Sequence, residues 1–279
     1  MAGGRLVLRL AVLAAAGTTA VAAGGATPDA AQMALQPADV PGAKVSGRAA
    51  KPGTGYVASY TRTFNLRTPY SRSALVFIES DVNLASTAAT ATRDFAGIRT
   101  YLRSAKGREE LATAFVKGAG KTVKRKDLAL GALRTPAIGD GAIELPATLK
   151  IKGGRVYAAF TFFRLDRVVE TLITLGVRPV VQADVAKLGS LIVAHAGAQF
   201  IPTSTAPPTI AGTPQQGQTL TALPGTWDNE PTFAYQWQRC DASGAACTDV
   251  VGATAQTYAV SAADVGTTLR VNVTATNRF

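Results

Sequence analysis

The chain has 279 residues, of which 47% are hydrophobic, and a formal net charge of +11. This length predicts two domains of about 100–200 residues each. The apolar fraction is that of a globular chain which buries a core, so the composition excludes a disordered protein. With one histidine and two cysteines, the chain also lacks the side chains from which most zinc sites and nucleophilic triads are built.

The first 23 residues have the pattern of a secretory signal peptide. Arg5 and Arg9 give the N-terminal region a positive charge, and residues 10–16 are apolar. Ala20-Val21-Ala22 offers a cleavage site with small residues. The apolar run is too short for a membrane span, which needs about 20 strongly apolar residues. We therefore predict a signal peptide at residues 1–23, with an uncleaved N-terminal anchor as the alternative. The mature chain is expected to be secreted, extracellular or on the cell surface, without a transmembrane segment.

The positive charge of the mature chain is confined to the part before residue 203. Residues 203–279 carry three arginines and five acids, whereas residues 23–202 carry 24 cations and 13 acids. Outside a cell, such a basic surface favours anionic partners, and we expect an anionic envelope polymer or lipid rather than nucleic acid. A charge that serves only solubility is the alternative. The oligomeric state is left open.

The hydrophobic pattern of residues 28–200 predicts a domain of mixed helices and strands. The predicted elements are, in chain order, a helix at 28–35, strands at 44–48, 56–66 and 73–80, a helical region from Asn83 to Gly118, strands at 122–130, 142–151, 155–164 and 168–177, and a helix that Pro179 opens. Strands that return after a helical pair favour the α+β class, in which helices pack on an antiparallel sheet.

The remaining residues predict a linker and a small all-β domain. Residues 201–209 are rich in proline, serine and threonine, which is typical of an extended linker. Residues 210–279 then contain short strand patterns at 219–222, 233–239, 248–250, 257–259 and 268–276. Cys240 and Cys247 predict a short-range disulfide, because isolated pairs oxidise outside the cytoplasm. Metal binding by this pair is the weaker alternative, since the only histidine lies in the other domain.

Several separated motifs of the second domain occur together in a known kind of repeat. They are Pro207-Pro-Thr-Ile, Gly217-Gln-Thr-Leu-Thr, Pro224-Gly-Thr-Trp227, the run Tyr235–Cys247 and Ala263-Asp-Val-Gly-Thr-Thr-Leu-Arg-Val271. In this order they resemble the Ig-like repeats of secreted actinobacterial proteins. The resemblance implies an Ig-like β-sandwich with Trp237 buried on strand C and a disulfide that pins a hairpin. It also implies a spacer or adhesion role, and Trp227 and Trp237 supply large surfaces for the small core.

The start of the first domain is similar to another group of exported proteins. Ala34-Leu-Gln-Pro-Ala-Asp-Val-Pro-Gly-Ala43 resembles the opening of actinobacterial lipoproteins and of extracytoplasmic sensor domains of membrane kinases. This resemblance implies an α/β sandwich over an antiparallel sheet. It transfers no catalytic residue to this chain.

A cluster of basic residues is the candidate binding site of the first domain. The cluster consists of Lys117, Lys121, Lys124, Arg125 and Lys126. A ligand-binding patch for an anion is the functional interpretation. A solvated strand edge that lysines protect from aggregation is the alternative.

The candidate catalytic residues are few and isolated. His195 lies in an apolar helical pattern and is expected to be structural. Asp140 and Glu144 could form a carboxylate pair, but Asp140 also suits a hairpin turn. We therefore predict a non-catalytic protein with no metal and no cofactor, which binds or senses an envelope component. A carrier of a lipophilic ligand and a carboxylate-based hydrolase are the alternatives.

Overall fold

The computed structural model describes residues 28–119 and 123–279, and the chain divides into two compact units between Gln199 and Phe200. We call residues 29–199 unit 1 and residues 200–279 unit 2. The predicted signal peptide and Lys121 lie outside the described residues. Within those residues, each helix is too short or too polar to cross a bilayer.

The described part of unit 1 contains seven strands and four α-helices. The helices are α1 (Ala30–Met33), α2 (Ala88–Arg103), α3 (Ala105–Ala119) and α4 (Gln182–Ala198), and the strands are β1 (Ala43–Ala50), β2 (Tyr56–Tyr70), β3 (Leu75–Ala85), β4 (Leu128–Leu130), β5 (Gly141–Ile151), β6 (Gly154–Leu165) and β7 (Val168–Gly176). They form one antiparallel sheet in the order β1-β2-β3-β7-β6-β5-β4. The prediction of helices combined with antiparallel strands is confirmed at this level.

Alternating apolar side chains give the sheet two buried faces. Phe160 and Phe162 of β6 belong to a core cluster with α2 and α3, and the rings of Phe160 and Phe115 meet edge to face at 5.1 Å. Phe163, the next residue of β6, belongs to the cluster that includes Leu188 of α4. Successive strand residues point to opposite faces, so one strand contributes to both cores.

Two predicted boundaries in unit 1 are wrong. Asn83 does not cap a helix; it lies inside β3, and the N-cap of α2 is Thr87, whose Oγ1 accepts from the N–H of Thr90 at 3.1 Å. Of residues 123–130, the described part of the strand predicted at 122–130, Leu128–Leu130 form a strand and residues 125–127 form a 3-10 turn. The carboxylate of Asp127 accepts from the N–H of Lys124 at 3.3 Å and closes this turn.

Unit 2 consists of short antiparallel strands around a small core. Its strands are β8 (Ser204–Ala206), β9 (Thr209–Ala211), β10 (Thr219–Leu223), β11 (Thr226–Trp227), β12 (Thr232–Cys240), β13 (Thr248–Asp249), β14 (Thr257–Ala259) and β15 (Thr268–Thr276). The sheet orders are β14-β10-β9, β11-β8 and β13-β12-β15. Within the range 201–209, for which the sequence predicts a linker, Ser204–Ala206 form β8, which pairs with β11.

The tryptophans of unit 2 lie at different depths. Trp237 is fully buried, its ring stacks on Tyr258 at 5.3 Å, and its indole N–H donates to the carbonyl of Ala255 at 3.0 Å. Trp227 is only half-buried and donates to the carbonyl of Pro224 at 2.7 Å. Trp237 is therefore the larger contributor to the core.

A disulfide joins Cys240, the last residue of β12, to Cys247, which precedes β13. We expect replacement of both cysteines by alanine to lower the free energy of unfolding of unit 2 by about 2–3 kcal/mol, because the open loop has more conformations when unfolded. Guanidinium unfolding followed by tryptophan fluorescence measures this, since both tryptophans lie in unit 2. Equal midpoints for the oxidised and the reduced wild-type chain would contradict the prediction.

Candidate functional site

The predicted basic cluster is only partly available for a ligand. Lys117, Lys124 and Lys126 are exposed. Arg125 instead donates through Nε and Nη2 to the carboxylate of Glu109 on α3, at 2.8 and 2.6 Å. This bidentate contact lowers the pKa of Glu109 and occupies the guanidinium. Arg125 is thus a structural residue of the 3-10 turn.

The β5–β6 hairpin adds cations that the predicted cluster did not include. Lys150 lies directly opposite Arg155, and Lys152 lies in the two-residue turn between the strands. Gly153, with φ of 88°, completes that turn in the left-handed region that favours glycine. All three cations are exposed.

The sheet brings the two basic segments together. Leu128 of β4 lies opposite Leu149 of β5, so the 3-10 turn that precedes β4 lies beside the tip of the hairpin. We call the exposed cations of these two segments the basic end, which consists of Lys124, Lys126, Lys150, Lys152 and Arg155. Within residues 28–119 and 123–279, none of these five side chains forms an ion pair within 4.0 Å.

A surface pocket adjoins the basic end. It has a volume of about 280 Å³, and its lining includes Arg134, Thr148 and Tyr157. Thr148 and Tyr157 lie opposite each other, two residues before Lys150 and two after Arg155, so alternation places all four on one sheet face. The pocket thus combines a guanidinium, a hydroxyl and an aromatic ring with two nearby cations.

Glu144 is the buried partner of the pocket's arginine. The guanidinium of Arg134 donates to Glu144 Oε1 at 3.1 Å, and the Glu144 side chain is 1% exposed. Burial raises the pKa of Glu144, while Arg134 opposes that shift. The contact fixes one edge of the guanidinium and orients it at the pocket.

The two candidate catalytic carboxylates each contact a different arginine. Asp140 contacts Arg164 at 3.1 Å, whereas Glu144 contacts Arg134. His195 lies 2.9 Å from the carboxylate of Asp39 and ties α4 to the segment before β1.

Sequence reasoning missed a second polar site, on the sheet face of unit 1 that carries α2 and α3. Glu79, Asp81 and Asn83 alternate along β3 and share this face. Thr63, Thr61 and Ser59 of β2 lie directly opposite them. The hydroxyl of Thr61 donates to Asp81 Oδ1 at 3.1 Å, and that of Ser59 donates to Asn83 Oδ1 at 2.9 Å.

Glu79 differs from its neighbours because it is 7% exposed and has no hydrogen-bond partner in the part of the chain that the structure describes. Burial raises its pKa to about 7; Asp81 adds to the shift and Arg48 of β1 opposes it. Burial also raises the pKa of Asp81. The signal for this site was the polar alternation of residues 79, 81 and 83, in a strand whose other face is buried.

No group of three or more histidine, cysteine or carboxylate side chains in the described ranges is arranged to hold a metal ion. The polar site therefore contains a carboxylate pair with hydroxyl neighbours and a nearby arginine. The basic end and its pocket have the opposite charge. Unit 1 thus presents two chemically distinct candidate sites on separate strands.

Comparisons with known proteins give little further information. No protein-family profile matches the chain, and no curated protein matches it. Among solved structures, the extracellular domain of PknH from Mycobacterium tuberculosis aligns with 62% of this chain and with 100% of its own length, at 11% identity and a TM-score of 0.38. A likeness of this size establishes neither a shared fold nor a shared function.

Proposed function

We propose that the chain is a non-catalytic protein of an extracytoplasmic compartment, in which the basic end of unit 1 binds an anionic glycopolymer of the envelope. Unit 2 serves as an Ig-like spacer in this proposal. The observation that carries it is the meeting of five exposed cations from two chain segments at one end of the sheet. Lysine and arginine side chains in such a cluster attract polyanions.

The pocket favours a polymer built from sugars over a smooth anionic surface. Pockets for small molecules typically measure about 300–1,000 Å³, so a volume of about 280 Å³ suits one monomer of a polymer. Tyr157 offers a ring face, Thr148 a hydroxyl and Arg134 a guanidinium whose Nη1 donates to Glu144. Lys150 and Arg155 then lie where the acidic groups of neighbouring monomers would pass.

The disulfide of unit 2 supports the proposed compartment. Disulfides persist outside the cytoplasm, where the environment is oxidising. The signal-peptide pattern of residues 1–23 points to the same compartment. The small all-β unit with its buried Trp237 is compatible with an Ig-like spacer.

The proposal is tested by replacing Lys150, Lys152 and Arg155 with serine. We expect the triple variant to bind uronate oligosaccharides at least tenfold more weakly than the wild type, because the variant loses three of the five cations. Calorimetric titration at low and at moderate salt measures the affinity, which salt should weaken for the wild type.

The matched control replaces Lys44, Lys51 and Arg67, three exposed cations outside the basic end, with serine. It removes the same net charge and should bind as the wild type does. Equal weakening in both triple variants would mean that only net charge matters. Tighter binding to phosphatidylglycerol vesicles than to the oligosaccharides would show that the basic end binds a lipid surface and not a glycopolymer.

A further inference from the structure

The pocket beside the basic end carries little net charge of its own. Among the described residues that line it, Arg134 is the one cation, and none is an acid. The carboxylate of Glu144 lies 3.1 Å from this guanidinium, and its side chain is 1% exposed. A carboxylate and a guanidinium in contact have no net charge together. The pocket and the exposed lysines around it therefore differ in what they attract.

An acidic group inside the pocket would meet a guanidinium that is already paired. A charge taken out of water is costly unless an opposite charge pairs with it. Here Nη1 of Arg134 donates to Glu144, and the first carboxylate would repel a second one. An uncharged hydroxyl avoids both costs. Because a guanidinium has five N–H donors in a planar fork, Arg134 can bond to Glu144 and to such a hydroxyl together.

The rest of the lining matches the surface of a sugar ring. Thr148 and Tyr157 lie opposite each other and are half-buried, and Pro146 and Val180 add apolar walls. Apolar walls with a few polar groups that fix orientation are typical of pockets for small molecules. A sugar ring has C–H groups on its faces, which can pack on the tyrosine ring. Its hydroxyls can both donate to and accept from the hydroxyl of Thr148.

The spacing along the strands separates the pocket from the nearest exposed cations. Lys150 lies two residues after Thr148 on β5, and Arg155, its opposite neighbour, lies two residues before Tyr157 on β6. Two residues of a strand span about 7 Å, which is close to the length of one sugar unit. The two cations thus lie beside the sugar that follows the one in the pocket.

We propose that the pocket binds an uncharged sugar, while Lys150 and Arg155 bind the acidic sugar next to it. This inference rests on the proposed function and narrows its ligand to a polymer in which uncharged and acidic sugars alternate. The cations supply an attraction that is common to all polyanions. The specificity then comes from Arg134, Thr148 and Tyr157, which contact the uncharged unit.

The test is calorimetric titration of the full chain with two hexasaccharides. One alternates glucuronate with N-acetylglucosamine, and the other consists of galacturonate alone, so the first has half as many carboxylates. Attraction by net charge alone favours the galacturonate chain. We expect the alternating chain to bind about tenfold more tightly. Added salt should enlarge this preference, because salt screens the carboxylates but not the contacts of the uncharged sugar.

Variants of the lining separate the pocket from the basic end. Thr148→Val keeps the shape of the side chain, and loss of its hydrogen bond should reduce the preference about fivefold. Tyr157→Ala should reduce it at least as much. Both variants should bind the galacturonate hexasaccharide as the wild type does, which also establishes that they are folded. Thr171→Val, a change at a half-buried threonine of β7 outside the pocket, is the matched control and should keep the full preference.

The possible failures of this inference and of the proposed function differ. Equal or tighter binding of the galacturonate hexasaccharide would overturn the inference and leave the proposed function standing, since the basic end would then act through charge alone. A full preference retained in both Thr148→Val and Tyr157→Ala would also overturn the inference, because the uncharged sugar would lie outside the pocket. Failure of both hexasaccharides to bind would overturn the proposed function and this inference with it.

Discussion

Replacement of Trp237 by alanine is expected to lower the free energy of unfolding of unit 2 by about 3–5 kcal/mol, the range for a large aromatic side chain removed from a core. The reason is the size of that core. Its buried members are Leu220, Ala222, Trp237 and Val260, and Trp237 is the largest side chain among them. The variant also loses the ring contact with Tyr258 and leaves the carbonyl of Ala255 without its indole donor.

Guanidinium unfolding followed by tryptophan fluorescence measures this effect in unit 2, because each single tryptophan variant keeps one tryptophan there. Trp227→Ala is the matched control. It should lower the free energy of unfolding by less than Trp237→Ala does, because Trp227 is only half-buried. Trp237→Phe should recover part of the loss, since an aromatic ring still fills the space. A midpoint for Trp237→Ala close to that of the wild type would contradict the assignment of Trp237 as the centre of this core.

The stability of unit 1 should depend on pH through Glu79. Burial raises the pKa of Glu79 from 4.5 to about 7. Below pH 4.5 its carboxyl is neutral in both the folded and the unfolded chain. Between pH 4.5 and 7 it ionises only after unfolding, so the free energy of unfolding falls as pH rises. One pKa unit corresponds to about 1.4 kcal/mol, which makes the loss about 3 kcal/mol by pH 8.

Glu79→Gln should remove this contribution and be more stable than the wild type at pH 8. Amide hydrogen exchange in β3 and β7 between pH 5 and 8, corrected for the intrinsic rates, measures the difference. Glu170, whose pKa burial raises well above its usual value, contributes a slope of the same sign from the other face. Glu170→Gln is therefore the second variant of the series. Identical pH profiles for Glu79→Gln and the wild type would show that Glu79 is solvated.

Sequence patterns located most elements of the chain. The strands predicted at 233–239 and 268–276 agree closely with Thr232–Cys240 and Thr268–Thr276, because clear alternation and flanking turns define them. The strand predicted at 122–130 was wrong at residues 125–127. There the contact between Asp127 and the backbone of Lys124 forms a turn, and periodicity carries no signal for such a contact.

The candidate sites were harder to predict than the elements. Lys124 and Lys126 could be identified from their spacing in the chain. Their neighbours Lys150 and Arg155 depend on the pairing of β4 with β5, which joins residues about 20 positions apart. The ion pair of Arg125 with Glu109 likewise depends on how α3 packs beside the turn.

The N-terminal charge and apolar run, the uneven distribution of charge and the spacing of the two cysteines are properties of the sequence alone. They determined the predicted compartment, the basic first domain and the disulfide, because each depends on neighbours in the chain. The tertiary structure decided which charges are free and which are paired. It also buried Glu79 beside Asp81, because burial and electrostatic coupling depend on distances between strands, and those distances exist only after the sheet has formed.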